Sequence, residues 1–175
     1  MARKPTRIIT SGGFTLIELL IVIIVIGILA AIVNSTVRGA QERAYFARAL
    51  SEFRVMDKAL EFYKLDNGDY PPDVNRNVPP GIETYIEKKD ADNWPDAPWP
   101  GSVYDYDNFD SGGVQTYQIS IRFCEIGDPD TCKFPKSEWA EDFEINSSVY
   151  FCLEGACKPH PSEPMDYPGY CVNCD

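Results

Sequence analysis

Twenty consecutive positions, 14 to 33, read FTLIELLIVIIVIGILAAIV and hold one charge, Glu18. An apolar run without a polar face predicts a helix surrounded by apolar material on all sides, about 30 Å long, the depth of a bilayer core. From Val37 to Leu65 the pattern changes. Phe46, Ala49, Phe53, Met56, Leu60 and Tyr63 recur at steps of three and four, one stripe of an amphipathic helix, while Arg43, Arg48, Glu52, Arg54, Asp57 and Lys58 take the other faces. The stripe is short and aromatic, which suits packing against the chain's own sheet better than a coiled coil. Joined, the two patterns predict one helix of about 52 residues, or ~78 Å. Asn34-Ser35-Thr36, at the junction, can loosen it by bonding to the backbone. Asn67-Gly68 ends it and Pro71-Pro72 prevent its resumption.

Beyond residue 70 the period falls to two. Thr116 to Cys124 places Tyr117, Ile119, Ile121 and Phe123 on one face, a strand. Ser148 to Leu153 is a second and Val103 to Tyr106 a third, with a turn at Asp110-Ser111-Gly112-Gly113 and a short helix over Ile82 to Lys89. The expected architecture is α+β: a long N-terminal helix packed on a small antiparallel sheet with proline-rich connections. The expected division is a leader at 1–13, an apolar helix at 14–36, an amphipathic helix at 37–70 and a head at 71–175.

A cleaved secretory signal does not explain the apolar run, because such regions span ~7–15 residues and end in a small-x-small site. A plain single-pass anchor accommodates the length but gives Glu18 no purpose, and an acid within a membrane helix is a functional hypothesis by default. A helix that first spans a membrane and later packs among other copies gives it one. Arg3, Lys4 and Arg7 precede the run and hold the N-terminus in the cytoplasm. From Asp66 onward 22 acidic residues face 7 basic ones, so the head suits an exposed, soluble surface and does not suit nucleic acid.

The stretch Gly12-Gly13-Phe14-Thr15-Leu16-Ile17-Glu18-Leu19-Leu20 resembles the leader junction of type IV pilins and type II secretion pseudopilins. That resemblance implies cleavage by a prepilin peptidase between Gly13 and Phe14, N-methylation of Phe14, and a role for Glu18 in assembly. Elementary chemistry supports the mapping. Cleavage creates an amine that is largely protonated at neutral pH. It lies four residues from Glu18, one turn along the same face, and an opposite charge offsets the cost of a cation in apolar surroundings. Tyr63 to Pro71, YKLDNGDYP, resembles the helix exit of the same proteins.

Cys124, Cys132, Cys152, Cys157, Cys171 and Cys174 all lie in the last third of the chain. An even number in an exported head points to disulfides. Six allow 15 pairings and the spacing does not choose among them. Sequence neighbours are the preferred pairs, since Cys124 and Cys152 stand at strand ends where a bridge would clip a loop. Zinc held by Cys152, Cys157, Cys171 and Cys174 is the rival, and redox work by the terminal Cys-x-x-Cys a further one.

Asp105, Asp107, Asn108 and Asp110 offer alternating oxygens, the ligand type calcium takes, although the full calcium-hand pattern is absent. Some pseudopilins bind calcium in the head, which the resemblance extends here as an expectation; no other cofactor is expected. His160 sits between Pro159 and Pro161 without a catalytic companion and reads as surface. Asn146-Ser147-Ser148 fits the glycosylation pattern. Trp94 and Trp99 fit either a surface patch or the core.

The leading functional expectation is therefore a structural subunit of a type IV pilus-like filament, not an enzyme. Its expected partners are a prepilin peptidase, further pilin subunits and the membrane. The alternatives are a pseudopilin of a secretion or DNA-uptake machine and, from another class, a membrane-anchored binding or redox protein.

Overall fold

The structure, a computed structural model, describes residues 13–86, 94–155, 157 and 169–173. The chain divides into two units, residues 1–40 and residues 41–175. Helix α1, Leu16–Asn67, contributes to both.

In the first unit α1 carries the apolar run. Every large apolar side chain named there, from Leu16 through Val33, is exposed. This is the one helix among the described residues long and apolar enough to cross a membrane, and none of its apolar stretch is buried. The helix runs unbroken through positions 34–36, where the Thr36 hydroxyl donates to the carbonyl of Ile32 at 3.0 Å. Such back-bonding satisfies the hydroxyl without interrupting the ladder.

In the second unit the predicted stripe is the buried one. Ala49, Phe53, Met56 and Leu60 are buried together with Tyr104, Tyr106, Ile119, Ile121 and Val149 of the sheet. Phe46 and Tyr63, at the ends of the stripe, are half-buried against the same core. Phe53 stacks on Phe151 and meets the edge of Tyr104, both at 5.6 Å between centroids. Helix α1 stops where glycine permits it. Gly68 takes a φ of 87°, and its N–H donates to the Lys64 carbonyl at 2.8 Å.

The sheet has four strands in the order β1 (Val103–Ser111), β2 (Val114–Arg122), β3 (Ser148–Glu154) and β4 (Gly169–Cys171). β1 and β2 form a hairpin in which Ser111 pairs with Val114 across Gly112 and Gly113. Both glycines have positive φ, 65° and 86°, as a two-residue hairpin turn with the twist of its strands requires. β2 pairs antiparallel with β3, but β4 pairs parallel with β3.

Three expectations need correction. The sheet is mixed rather than purely antiparallel, because a fourth strand of three residues lies parallel on the β3 edge. The first strand does not end at Tyr106: the acidic stretch continues as β1 to Ser111, since its backbone is fully paired with β2. The helix expected over Ile82 to Lys89 is a single 3-10 turn, Ile82–Thr84, entered from Gly81 in the left-handed region; positions 87–89 lie outside the described residues.

β2 is buried on both faces. Tyr117, Ile119 and Ile121 face the core, and Thr116, Gln118, Ser120 and Arg122 are buried on the opposite face. Residues 71–77 run beside β1. Val74 forms an antiparallel bridge with Tyr106, and the Pro71 carbonyl accepts from the Tyr106 hydroxyl at 3.0 Å and the Asn108 amide at 2.7 Å.

Candidate functional site

The start of α1 is built by two side chains. Gly13, Phe14 and Thr15 are not helical, and Phe14 is 80% exposed. Thr15 occupies the cap position: its carbonyl accepts from the Leu19 N–H at 3.3 Å. The Glu18 N–H donates to the Thr15 hydroxyl oxygen at 3.3 Å. In return Glu18 Oε2 accepts from the Thr15 N–H at 2.8 Å and from the Thr15 hydroxyl at 2.6 Å. Thr-x-x-Glu is thus a reciprocal capping box, which satisfies two backbone donors that a helix start leaves unpaired. The sequence carried this signal in plain view. The pairing expected between Glu18 and the amine that cleavage creates does not include it. Gly12 and the basic leader lie outside the described residues.

The four candidate calcium ligands are not brought together. Asp105 and Asp107 point to one face of β1 and ion-pair with Arg122, at 3.0 Å to its Nε and 3.2 Å to its Nη2. Asn108 and Asp110 alternate to the other face. The Asn108 amide donates to the Pro71 carbonyl, and Asp110 accepts from the Gly113 N–H at 2.9 Å to close the hairpin turn. Among the described residues no group of three or more His, Cys, Asp or Glu side chains could hold a metal ion.

Asp105, Asp107 and Arg122 make a buried charge cluster that the sequence did not announce. Asp105 also accepts from the Arg76 N–H at 2.7 Å, and Asp107 from Gln118 and Ser120. Burial, then the neighbouring Asp107 charge, push the Asp105 carboxyl up to about 6 against the pull of Arg122. Asp73, whose carboxylate accepts from the Asn108 N–H at 2.9 Å, is also raised, chiefly by burial. These bonds hold residues 73–76 to β1. Arg76 takes a φ of 55°, and its guanidinium donates to the Cys124 carbonyl.

Two of the preferred cysteine pairs are present as disulfides: Cys124–Cys132 and Cys152–Cys157. Cys171 is also disulfide-bonded, and Cys174 lies outside the described residues. The zinc set is therefore broken at Cys152 and Cys157, whose sulfurs are bonded to each other. Trp99 belongs to the core, 3% exposed, with its indole N–H donating to the Glu42 carboxylate at 2.8 Å; Trp94 is half-buried against the same cluster. His160 lies outside the described residues. The Asn146 carbonyl accepts from Arg122, and Ser147 and Ser148 are buried.

Comparison with known proteins bears on the N-terminal part first. Residues 10–34 match the family model of the prokaryotic N-terminal methylation motif. The chain is 34% identical to the type II secretion system core protein G of Vibrio cholerae over 124 residues, 66% of this chain and 84% of that protein. It is 37% identical to the core protein G of Aeromonas hydrophila over 94 residues, 54% of this chain and 59% of the relative. It is 42% identical to that of Pectobacterium carotovorum over 97 residues, 47% of this chain and 61% of the relative. The chain thus spans less than two thirds of the Aeromonas and Pectobacterium proteins and most of the Vibrio one. No solved structure matches.

Proposed function

As the chain belongs to the family of type II secretion system core protein G, we propose that it is a structural subunit of a pilin-like filament, built from a membrane-held precursor. The observation that carries the reading is the apolar half of α1, wholly unburied and directly preceded by the methylation-motif junction. Each large apolar side chain left in water forgoes ~1.5–3 kcal/mol of transfer free energy. Fifteen residues of that kind, between Phe14 and Val33, need lipid or other copies of the helix around them, and a subunit that moves from membrane to filament uses both in turn.

Residues 1–13 are the leader in this reading, and the Gly13–Phe14 bond is cut by a prepilin peptidase. Gly13 has no positive φ, and a Cβ built on it would meet nothing within 4 Å. The described fold itself makes no demand for glycine there, which fits a demand made by a peptidase cleft. Residues 14–36 span the membrane with the N-terminus in the cytoplasm, and the acidic, disulfide-bonded head folds outside. Glu18 receives the new Phe14 amine, of its own or a neighbouring chain, during assembly.

The relatives' names favour a secretion pseudopilus as the filament; a surface pilus is the second reading, since the leader junction is common to both groups. Mass spectrometry of the mature protein should find an N-methylated Phe14 at the start. An intact leader in mature protein would overturn the proposal. Imaging then separates the two forms: a short periplasm-spanning rod in one case, long surface filaments in the other.

A further inference from the structure

We propose that Thr15 is a positioning residue for leader removal: its capping box with Glu18 starts α1 at Leu16 and so holds the Gly13–Phe14 bond outside the helix. The proposal rests on the processing reading above.

A peptide bond inside a helix is a poor protease substrate. Its carbonyl is committed to the i→i+4 ladder, and its flanks are crowded by neighbouring turns. An apolar helix at a membrane surface tends to run on toward its N-terminus, because each unpaired backbone N–H near hydrocarbon is costly and another turn would satisfy it. The box removes that drive at one place. The Glu18 N–H is satisfied by the Thr15 hydroxyl at 3.3 Å, and the Thr15 N–H by the Glu18 carboxylate at 2.8 Å. Backbone at the cap position is non-helical by nature, so the residues before it leave the helix axis. Gly13 reinforces the stop, since only proline is a weaker helix former than glycine. The observed result is a scissile pair, Gly13 and Phe14, without helical structure, followed two residues later by the first helical one.

The box lies entirely on the C-terminal side of the bond, so cleavage leaves it intact. Both carboxylate bonds fall on Glu18 Oε2. The other oxygen, Oε1, remains to accept the amine that cleavage creates, so the box and the proposed assembly role do not compete for one atom.

The test uses full-length precursor in membranes with a prepilin peptidase, following initial cleavage rates across precursor concentrations. Thr15→Val has nearly the shape of threonine but cannot cap. It should be cut about fivefold more slowly, the factor expected from a lost N-cap. Thr15→Ser and Thr15→Asn differ in shape but do cap, and should restore most of the rate. Hydrogen exchange at the Ile17 amide should slow in Thr15→Val, because a helix that grows over the bond makes the Ile17 N–H donate to the Gly13 carbonyl. Equal cleavage of Thr15→Val and wild type would overturn the proposal. So would slow cleavage of all three variants, which would mean that the peptidase reads threonine itself. Failure of the wild-type chain to be cut at Gly13–Phe14 is a different result: it would overturn the processing reading on which the proposal stands.

Discussion

The side-chain amide of Asn173 pairs with the backbone of Cys152 in both directions: its Nδ2 donates to the Cys152 carbonyl at 2.7 Å, and its Oδ1 accepts from the Cys152 N–H at 2.7 Å. Asn173 follows β4, which ends at Cys171. Its side chain therefore continues the pairing that the β4 backbone gives up, and it closes the β3 edge where an unpaired N–H and C=O would otherwise await another strand. Tyr170 anchors the same segment, meeting Phe46 at 5.5 Å and Trp139 at 5.2 Å between ring centroids.

Replacing Asn173 by alanine should leave the core intact and free the Cys152 amide. Alanine removes both bonds, each of which contributes about 1 kcal/mol to local closure. Hydrogen exchange of the Cys152 N–H should accelerate several-fold while amides of β2 keep their protection. Unchanged exchange at Cys152 would show that the pairing is not maintained in solution.

Arg122 should be far less tolerant. It is buried between two carboxylates, and its removal would leave both without their ion-pair partner. Arg122→Met should cost about 3–5 kcal/mol in denaturant unfolding of the detergent-solubilised protein. A loss below about 1 kcal/mol would mean that water already screens the cluster.

The same cluster sets a pH dependence whose sign follows from the Asp105 carboxyl. Its folded value, about 6, lies above the ordinary 3.8. Ionised Asp105 therefore opposes folding at neutral pH, and this contribution is relieved as pH falls through 6 toward 3.8. The gain is up to about 3 kcal/mol. Relative to Asp105→Asn, which keeps an acceptor for the Arg76 N–H, the wild type should gain stability over that interval. A wild-type curve with the same slope as that of Asp105→Asn between pH 6 and 3.8 would contradict the assignment.

The cysteines should be unreactive as extracted. Alkylation without reduction should label none of the six, and the protein should carry no stoichiometric zinc. Reduction should lower stability by about 2–3 kcal/mol for each short loop opened. Six modified thiols in unreduced protein would remove the disulfide account.

Glu18 offers a separation of two roles. Glutamine can serve in a capping box, so Glu18→Gln keeps the bonds to Thr15 and loses only the charge. It should be processed at close to the wild-type rate, insert into membranes normally and yield few sheared filaments. Glu18→Leu loses both and should show slower processing as well. Glu18→Asp, with charge but shorter reach, should fall between wild type and Glu18→Leu in filament yield. Normal filament yield from Glu18→Gln would show the charge to be dispensable.

Much of this molecule was legible in the order of its residues because the determining physics is local. A continuous apolar run, a three-and-four stripe from Phe46 to Tyr63, a glycine at 68 and alternation from Tyr117 to Ile121 each state the backbone they prefer within a few positions. Cysteines close in sequence meet when a loop is short. The Thr15–Glu18 box is equally local, three residues apart. Other features depended on which distant segments cover which faces. Alternation along β2 shows that Gln118, Ser120 and Arg122 share a face; it cannot show that this face is buried, since that is decided by residues 71–77 beside β1 and by the Asn146 carbonyl reaching Arg122. The acids at 105 and 107 looked like solvated or metal-seeking oxygens until Arg122, 17 and 15 positions away, supplied their partner. β4 is three residues long and pairs parallel with β3, so no period could declare it, and its place was settled by Tyr170 against Phe46 and by one asparagine amide on Cys152.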